Sequence, residues 1–403
     1  MGVVLGKTSD IGVSALVPFI LAACTAVSIL STDFMTPSIP YLPEVFGSDI
    51  VTVQYTVSIN LAAYAIAQLF HGPLSDAFGR RRLLLAAFSF FIAVSIFCAL
   101  AVSIEMLLVG RFLQGLASSV PSVVIVLIIR ELYPPNKAVG VMALYGAALG
   151  IAPAIGPLMG SFLHAWFGWS TSFWAIAILA LIVTIMFALF VPETLKKKHP
   201  IAPVASLTTY FTLLSRKEYL RFLLPLSLVF GGFYAFVTTA PVVFIGLLGM
   251  DQKSYGLSYM VIIASFILGN IAASRMSKIK TPTQTANIAV FVTMIAGTSM
   301  LIPSLLGINS IQLLLISMCL YAVGLGSIMA TGPIALLDSV PDLPPGPASA
   351  LLGSCQLGTA SFAGFLSATY YNNSSLSLSV TIAGFAFIGC IPVFLGRLQN
   401  VRT

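Results

Sequence analysis

Residues 72–82 read G-P-L-S-D-A-F-G-R-R-R and separate two stretches, 50–70 and 83–104, that contain no charged residue. About 20 apolar residues in a helix match the hydrocarbon thickness of a bilayer. The charged stretch must therefore lie at a membrane surface, with a spanning helix on each side. Arg80, Arg81 and Arg82 assign that surface to the cytoplasm, because short cytoplasmic loops carry the excess of basic residues. The orientation of the chain follows from this one assignment.

Composition agrees. Of 403 residues, 58% are hydrophobic and 8% charged, against about a quarter charged in soluble domains. A globular soluble protein is excluded. The net charge of +7 reflects orientation, not nucleic-acid binding. The five cysteines, Cys24, Cys98, Cys319, Cys355 and Cys390, all fall in apolar runs without C-x-x-C spacing. They suggest buried hydrophobes rather than a disulfide framework or metal site, and no metal or cofactor is expected. One lysine, Lys7, precedes the first apolar run, which has no small-residue cleavage site, so the run reads as a membrane helix and not a signal peptide.

Twelve spans are predicted: about 13–36 (with a possible extension to Pro43), 51–70, 83–103, 106–129, 139–163, 171–191, 222–247, 255–274, 285–305, 310–336, 347–370 and 376–396. The charges test the count. With both termini inside, all 19 Lys and Arg residues fall in cytoplasmic segments except Lys253, in an outer loop, and Arg111, inside a helix. The longest polar interval, 192–221, divides the chain into similar halves. G-L-A-S-S at 115–119 is echoed by G-L-G-S-I at 324–328, and S-R-M-S-K at 274–278 takes the place that 75–82 holds in the first half. The expected fold is an all-α membrane protein with 12 transmembrane helices in two pseudo-symmetric six-helix bundles: residues 1–195, a cytoplasmic linker 196–220, and residues 221–403. Such a duplication places a site at the midplane between halves that move against each other.

These residues resemble the major facilitator superfamily. The stretch 72–82 is similar to its signature between helices two and three, G-x-x-x-D-(R/K)-x-G-(R/K)-(R/K), with Ala77 departing from the usual basic residue. L-V-G-R-F-L-Q-G at 108–115 resembles the helix-four motif, and G-I-A-P-A-I-G-P-L-M-G at 150–160 the helix-five antiporter motif, with Ala152 in place of a glycine. S-T-D-F-M-T-P-S-I-P at 31–40 resembles the first helix of drug/proton antiporters. Q-Y-T-V-S at 54–58 and P-G-P-A-S-A-L-L-G-S-C-Q at 345–356 are similar to the Bcr/CflA multidrug exporters. The resemblance implies a bacterial inner-membrane, multi-pass, monomeric carrier that exports small hydrophobic molecules in exchange for protons. An exporter of one endogenous metabolite or siderophore is the alternative. A proton-coupled importer fits less well. The partners implied are a small-molecule substrate, protons and the lipid bilayer, with no nucleic acid. An enzyme is not expected: His71, His164 and His199 do not cluster, and no H-E-x-x-H, G-x-S-x-G or nucleotide-binding loop occurs. A channel filter is not visible either.

Ionisable groups at membrane depth cost at least about 2.5–3.5 kcal/mol on insertion scales, so they mark function. Asp33 and Arg111 are the two clearly internal ones. A carboxylate withdrawn from water is easier to protonate, and the resemblance gives Asp33 the role of binding the proton in competition with substrate. The competing reading is an aspartate at a wet helix end. Arg111 cannot lose its proton and needs a carboxylate, carbonyl or water; it either tunes Asp33 or holds carbonyls of the first helix. Leu320 takes its place in the second half. Thr25 and Ile29 precede Asp33 at one-turn intervals on the same face and are expected to line the substrate cavity with Asn60, Tyr64, Gln114, Phe233, Tyr234 and Gln356. Asn60, Tyr64 and Gln68 share a helix face, which suits either cavity lining or helix–helix hydrogen bonding. Gly146, Gly150, Pro153, Gly156, Pro157 and Gly160 suit close helix approach; the resemblance adds packing against helix eight that prevents leak. It also implies a latch of Gly72, Asp76, Gly79, Arg80, Arg81 and Glu131, with Asp76 facing a helix start and the arginines near acids such as Glu131.

Overall fold

The computed structural model describes residues 14–195, 203–343 and 345–400. Lys7, Lys196 to Lys198 and Arg402 lie outside the described residues, as do the outermost parts of the predicted first helix and linker. Among the described residues there is no strand. The helices are α1 (Val17–Phe46), α2 (Ile50–Phe78), α3 (Arg80–Ala99), α4 (Ile104–Leu132), α5 (Pro135–Phe167), α6 (Thr171–Phe190), α7 (Lys217–Leu247), α8 (Gln252–Met276), α9 (Pro282–Leu305), α10 (Ile311–Asp338), α11 (Pro345–Thr369) and α12 (Leu376–Asn400). A short helix, Pro203–Ser215, precedes α7.

Ten of these are individually long and apolar enough to cross a membrane, and α5, bent by 41° between Gly140–Pro153 and Ile155–Phe167, makes an eleventh. The bend follows Pro153, which cannot supply an N–H to the helix ladder. α11 has the length, 25 residues, but is rich in Gly, Ala and Ser and does not reach that apolarity.

Local sequence sets the ends. Asp49 caps α2 by accepting from Thr52 N at 2.9 Å, and Asp251 caps α8 by accepting from Ser254 N at 3.0 Å. These two caps occupy matching places in the two halves. Thr281 and Gln284 form a capping box at α9.

Helix packing shows the duplication directly. In the first half α1 packs on α5 and α6, α2 on α4, and α3 on α4 and α6. Adding six to every label gives the packing of the second half: α7 on α11 and α12, α8 on α10, and α9 on α10 and α12. The halves meet through α2 against α11 and α5 against α8.

Two expectations change. The stretch 72–82 is not an extended turn. α2 continues through Gly72 and Pro73 to Phe78 and α3 starts at Arg80, so Gly79 alone reverses the chain, at φ 103°. A positive φ is open to glycine at little steric cost. The first helix is α-helical only to Asp33; beyond it the chain tightens into a 3-10 helix, Thr36–Tyr41, and a last turn, Leu42–Phe46. Pro37, Pro40 and Pro43 remove the N–H groups that an α-helix would need there.

The two ends of the molecule differ. At the end that carries Tyr41, Tyr55 Oη and Thr369 Oγ1 join the halves at 3.0 Å, and Thr239 Oγ1 donates to Gln54 Oε1 at 3.1 Å. At the arginine-bearing end a cleft of about 350 Å³ lies between the halves, lined by Gln68, Asp76, Arg130, Tyr210 and Pro347 among others.

Candidate coupling and transport site

Asp33 ends the α-helical part of α1, is 2% exposed, and has no hydrogen-bond partner at Oδ2. The three ion pairs among the described residues do not include it. Its carbonyl accepts from Thr36 Oγ1 at 2.9 Å, which anchors the switch from α- to 3-10 helix. α5 lies directly against it: a Cβ on Gly156 would collide with the Asp33 side chain, and one on Gly160 with the Phe34 carbonyl. From the second half, Tyr234, Tyr255 and Tyr259 lie within electrostatic reach of the carboxyl. The Tyr255 hydroxyl is buried and also lacks a partner.

Arg111 of α4 is fully buried. Its Nε donates to Thr56 O at 3.1 Å and Nη1 to Ser31 O at 2.9 Å. Nη1 also donates to Gln114 Oε1, whose amide donates to Ser95 Oγ at 2.8 Å. Asn60 Nδ2 donates to Arg111 O at 2.9 Å and its Oδ1 accepts from Thr32 Oγ1 at 3.0 Å. Phe173 lies 5.9 Å from the guanidinium, within cation–π range. Arg111 thus ties α1, α2 and α4 together through carbonyls, while Nη2 stays unpartnered.

This geometry separates the predicted cavity residues. Asn60 and Gln114 are fully buried in the Arg111 network and serve helix–helix hydrogen bonding, not open space. Thr25 is buried and bonds Leu21 O in its own helix at 3.3 Å. Ile29 and Tyr64 are half-buried. Phe233 and Tyr234 are buried with rings 5.9 Å apart, edge to face. Gln356 is half-buried, its amide 3.3 Å from Met329 Sδ. Gln68 lines the open cleft and leaves a buried Oε1 unpartnered.

The antiporter-motif residues also divide. The segment packs on α8 as expected, through Leu158 and Ser161 against Gly256, while Gly156 and Gly160 pack on α1. α8 has its own glycine at that crossing, so α5 presents larger groups there. Pro157 is buried and Pro153 marks the bend. A Cβ on Gly150 or Gly72 would meet open space.

At the arginine-bearing end Arg80 is buried and pairs with Asp76 at 2.6 Å and Glu131 at 3.0 Å. Asp76 therefore pairs within its own turn instead of facing a helix start. That place belongs to Glu193, beyond the end of α6: its carboxylate accepts from Arg80 N at 3.0 Å and Arg81 N at 3.2 Å. Arg81 reciprocates, donating from Nε to Val191 O at 2.9 Å and from Nη2 to Ala188 O at 2.6 Å. A carboxylate at a helix N-terminus and a cation at a C-terminus both match the helix dipoles. The sequence does not mark Glu193: P-E-T-L follows an apolar run, and nothing local in it points back more than a hundred residues.

Twelve helices repeated six by six, with buried ionisable groups between them, define a class of membrane carrier. The model of the Major Facilitator Superfamily matches residues 21–364, and the chain belongs to that superfamily. Among curated relatives, a Bacillus subtilis protein described as an uncharacterized MFS-type transporter, YdgK, is 28% identical over 343 residues, covering 84% of this chain and 85% of that one. The Haemophilus influenzae bicyclomycin resistance protein homolog is 25% identical, covering 87% and 88%. Multidrug resistance protein D of Escherichia coli is 26% identical, covering 86% and 88%. Among solved structures, the partially occluded inward-open xylose transporter XylE of E. coli shares the fold at a TM-score of 0.73 and 14% identity, over 94% of this chain and 96% of that one.

Proposed function

We propose that this multi-pass transporter exports small, largely hydrophobic organic compounds from the bacterial cytoplasm in exchange for protons, acting as a monomer in the inner membrane. The observation that carries the reading is Asp33: a fully buried carboxyl with an unpartnered oxygen, in no ion pair among the described residues, and with tyrosines of the opposite half acting on it electrostatically. A group so placed is stable when protonated and unstable when charged and unsolvated. Proton release therefore needs either water or a substrate that satisfies the oxygen. Competition between proton and substrate for one carboxyl is the simplest form of antiport. Relatives named for multidrug and bicyclomycin resistance support the export direction and the substrate class.

The arginine-bearing end faces the cytoplasm, where Arg80 to Arg82, Arg130 and Arg216 collect. The halves, residues 1–195 and 221–403, rock about the α2–α11 and α5–α8 contacts. Arg80, Asp76, Glu131, Glu193 and Arg81 hold the inner ends of α2, α3, α4 and α6 as one unit, so the first half moves as a rigid body. Asp33 binds the proton; Arg111 fixes the helix that carries it. Phe233, Tyr234 and Gln356 offer second-half contacts to the substrate.

The test is transport in proteoliposomes under an imposed pH gradient, with a panel of unrelated hydrophobic drugs. Asp33→Asn should abolish gradient-driven movement of all of them while leaving drug binding measurable. Gradient-driven transport that survives in Asp33→Asn would refute the coupling, and movement of a single compound from a broad panel would refute the multidrug reading.

A further inference from the structure

His164 lies in the last turn of α5. Its Nδ1 is 2.8 Å from Ser38 Oγ, and its ring centroid is 4.7 Å from that of Tyr41, the planes inclined at 34°. Both partners belong to the 3-10 segment Thr36–Tyr41, which begins three residues after Asp33 and is tied to it by the Thr36 hydroxyl. The same segment faces the second half: Pro40 is the neighbour a Cβ on Gly246 would meet, at 3.8 Å, in the π-helical turn Val242–Leu247. The imidazole thus grips the piece of chain that both closes the outer end and continues from the coupling carboxyl.

We propose that His164 is a positioning residue that clasps the segment after Asp33 onto α5, and that its protonation from the outer side tightens the clasp and closes the outer gate. This rests on the orientation and on the role of Asp33 proposed above. An imidazolium would be well placed. It would donate from Nδ1 to Ser38, lie at the C-terminal, negative end of α5, and sit over the Tyr41 ring as a cation–π partner. The titratable group in contact with it is Tyr41 of α1; Asp251, at the start of α8, acts electrostatically on Tyr41, and Lys253 is exposed. Closure driven by outer protons would follow protonation of Asp33 from the same side, the order that an antiport cycle needs.

The test uses the full-length protein in lipid nanodiscs, with spin labels at Glu44→Cys and Lys253→Cys, both exposed at the outer end, and Cys319 and Cys355 replaced by Ser. Burial makes the His164 imidazole harder to protonate than a free one, so electron–electron distances are read at pH 8 and pH 5. The ratio of closed to open outer ends should rise roughly threefold on acidification, the size expected of one helix-end or cation–π contact. His164→Gln, which keeps a hydrogen bond to Ser38 but cannot be protonated, should hold the pH 8 distribution at both values. Ser38→Ala should weaken the closed state at both. Asp33→Asn in the same labelled protein should keep the response. A response that persists in His164→Gln, or one lost only in Asp33→Asn, overturns the proposal, as does a wild-type protein that does not respond. A His164-dependent response in a protein whose export ignores the pH gradient would leave the clasp standing and remove the coupling role of Asp33.

Discussion

Asp33 and Arg111 are both buried in the first half, and no ion pair among the described residues joins them. Arg111 is directed to the Ser31 and Thr56 carbonyls, so its charge is held two residues before Asp33 on the same helix without neutralising it. This leaves the Asp33 oxygen free for a proton or a substrate.

If Arg111 is a clamp first, Arg111→Lys should destabilise the protein although charge is retained. An ammonium lacks the planar fork that serves Thr56, Ser31 and Gln114 together. Loss of two charge-assisted bonds suggests about 3 kcal/mol. Thermal unfolding in detergent should show it, together with Gln114→Ala, whose effect should not add to that of Arg111→Lys because the two share a network.

Glu193 and Gly79 form a second coupled pair. Glu193→Gln should loosen the start of α3 while preserving its shape, costing about 0.3–1 kcal/mol as expected for a charge at a helix terminus. Gly79→Ala should cost more, about 1–3 kcal/mol, because an alanine must adopt φ 103° and meets the Glu193 carboxylate. Melting curves of both variants and the double variant test this; equal effects would contradict the geometry.

The outer caps carry a pH signature. Hydrogen bonds from the Thr52 hydroxyl, then from its N–H, hold the Asp49 carboxyl below the usual range. The Ser254 hydroxyl and N–H do the same for Asp251. Folded-state values below the unfolded ones mean that this stability is complete above the unfolded value and is lost as pH falls through the folded one. Melting temperature should therefore hold from pH 8 down to pH 5 on account of these groups and decline below about pH 4. Asp49→Asn with Asp251→Asn should flatten that acid limb.

The sequence made the spans, their number and the repeat legible because uncharged runs in a bilayer admit few structures. Asp33 and Arg111 stood out for the same reason: a charge in an apolar run is conspicuous. Their partners were not legible. Whether Asn60 and Gln114 line a cavity or bind Arg111 depends on helix rotation, and apolar faces on all sides leave rotation unmarked. The helix-five glycines announced close packing, and the segment does meet α8, but nothing in the spacing showed that Gly156 and Gly160 themselves face α1. Glu193 takes the place at a helix start that was expected of Asp76, because Gly79 turns the chain in one residue, too short for a loop to carry Asp76 to a neighbouring helix end.

The central claim is that proton and substrate compete for Asp33. Proton release on substrate binding, read with a pH dye in weakly buffered detergent solution at equilibrium, tests it most directly. Drug added to the wild-type protein should release protons, and drug added to Asp33→Asn should bind without any release. Equal proton release from both proteins would contradict the account.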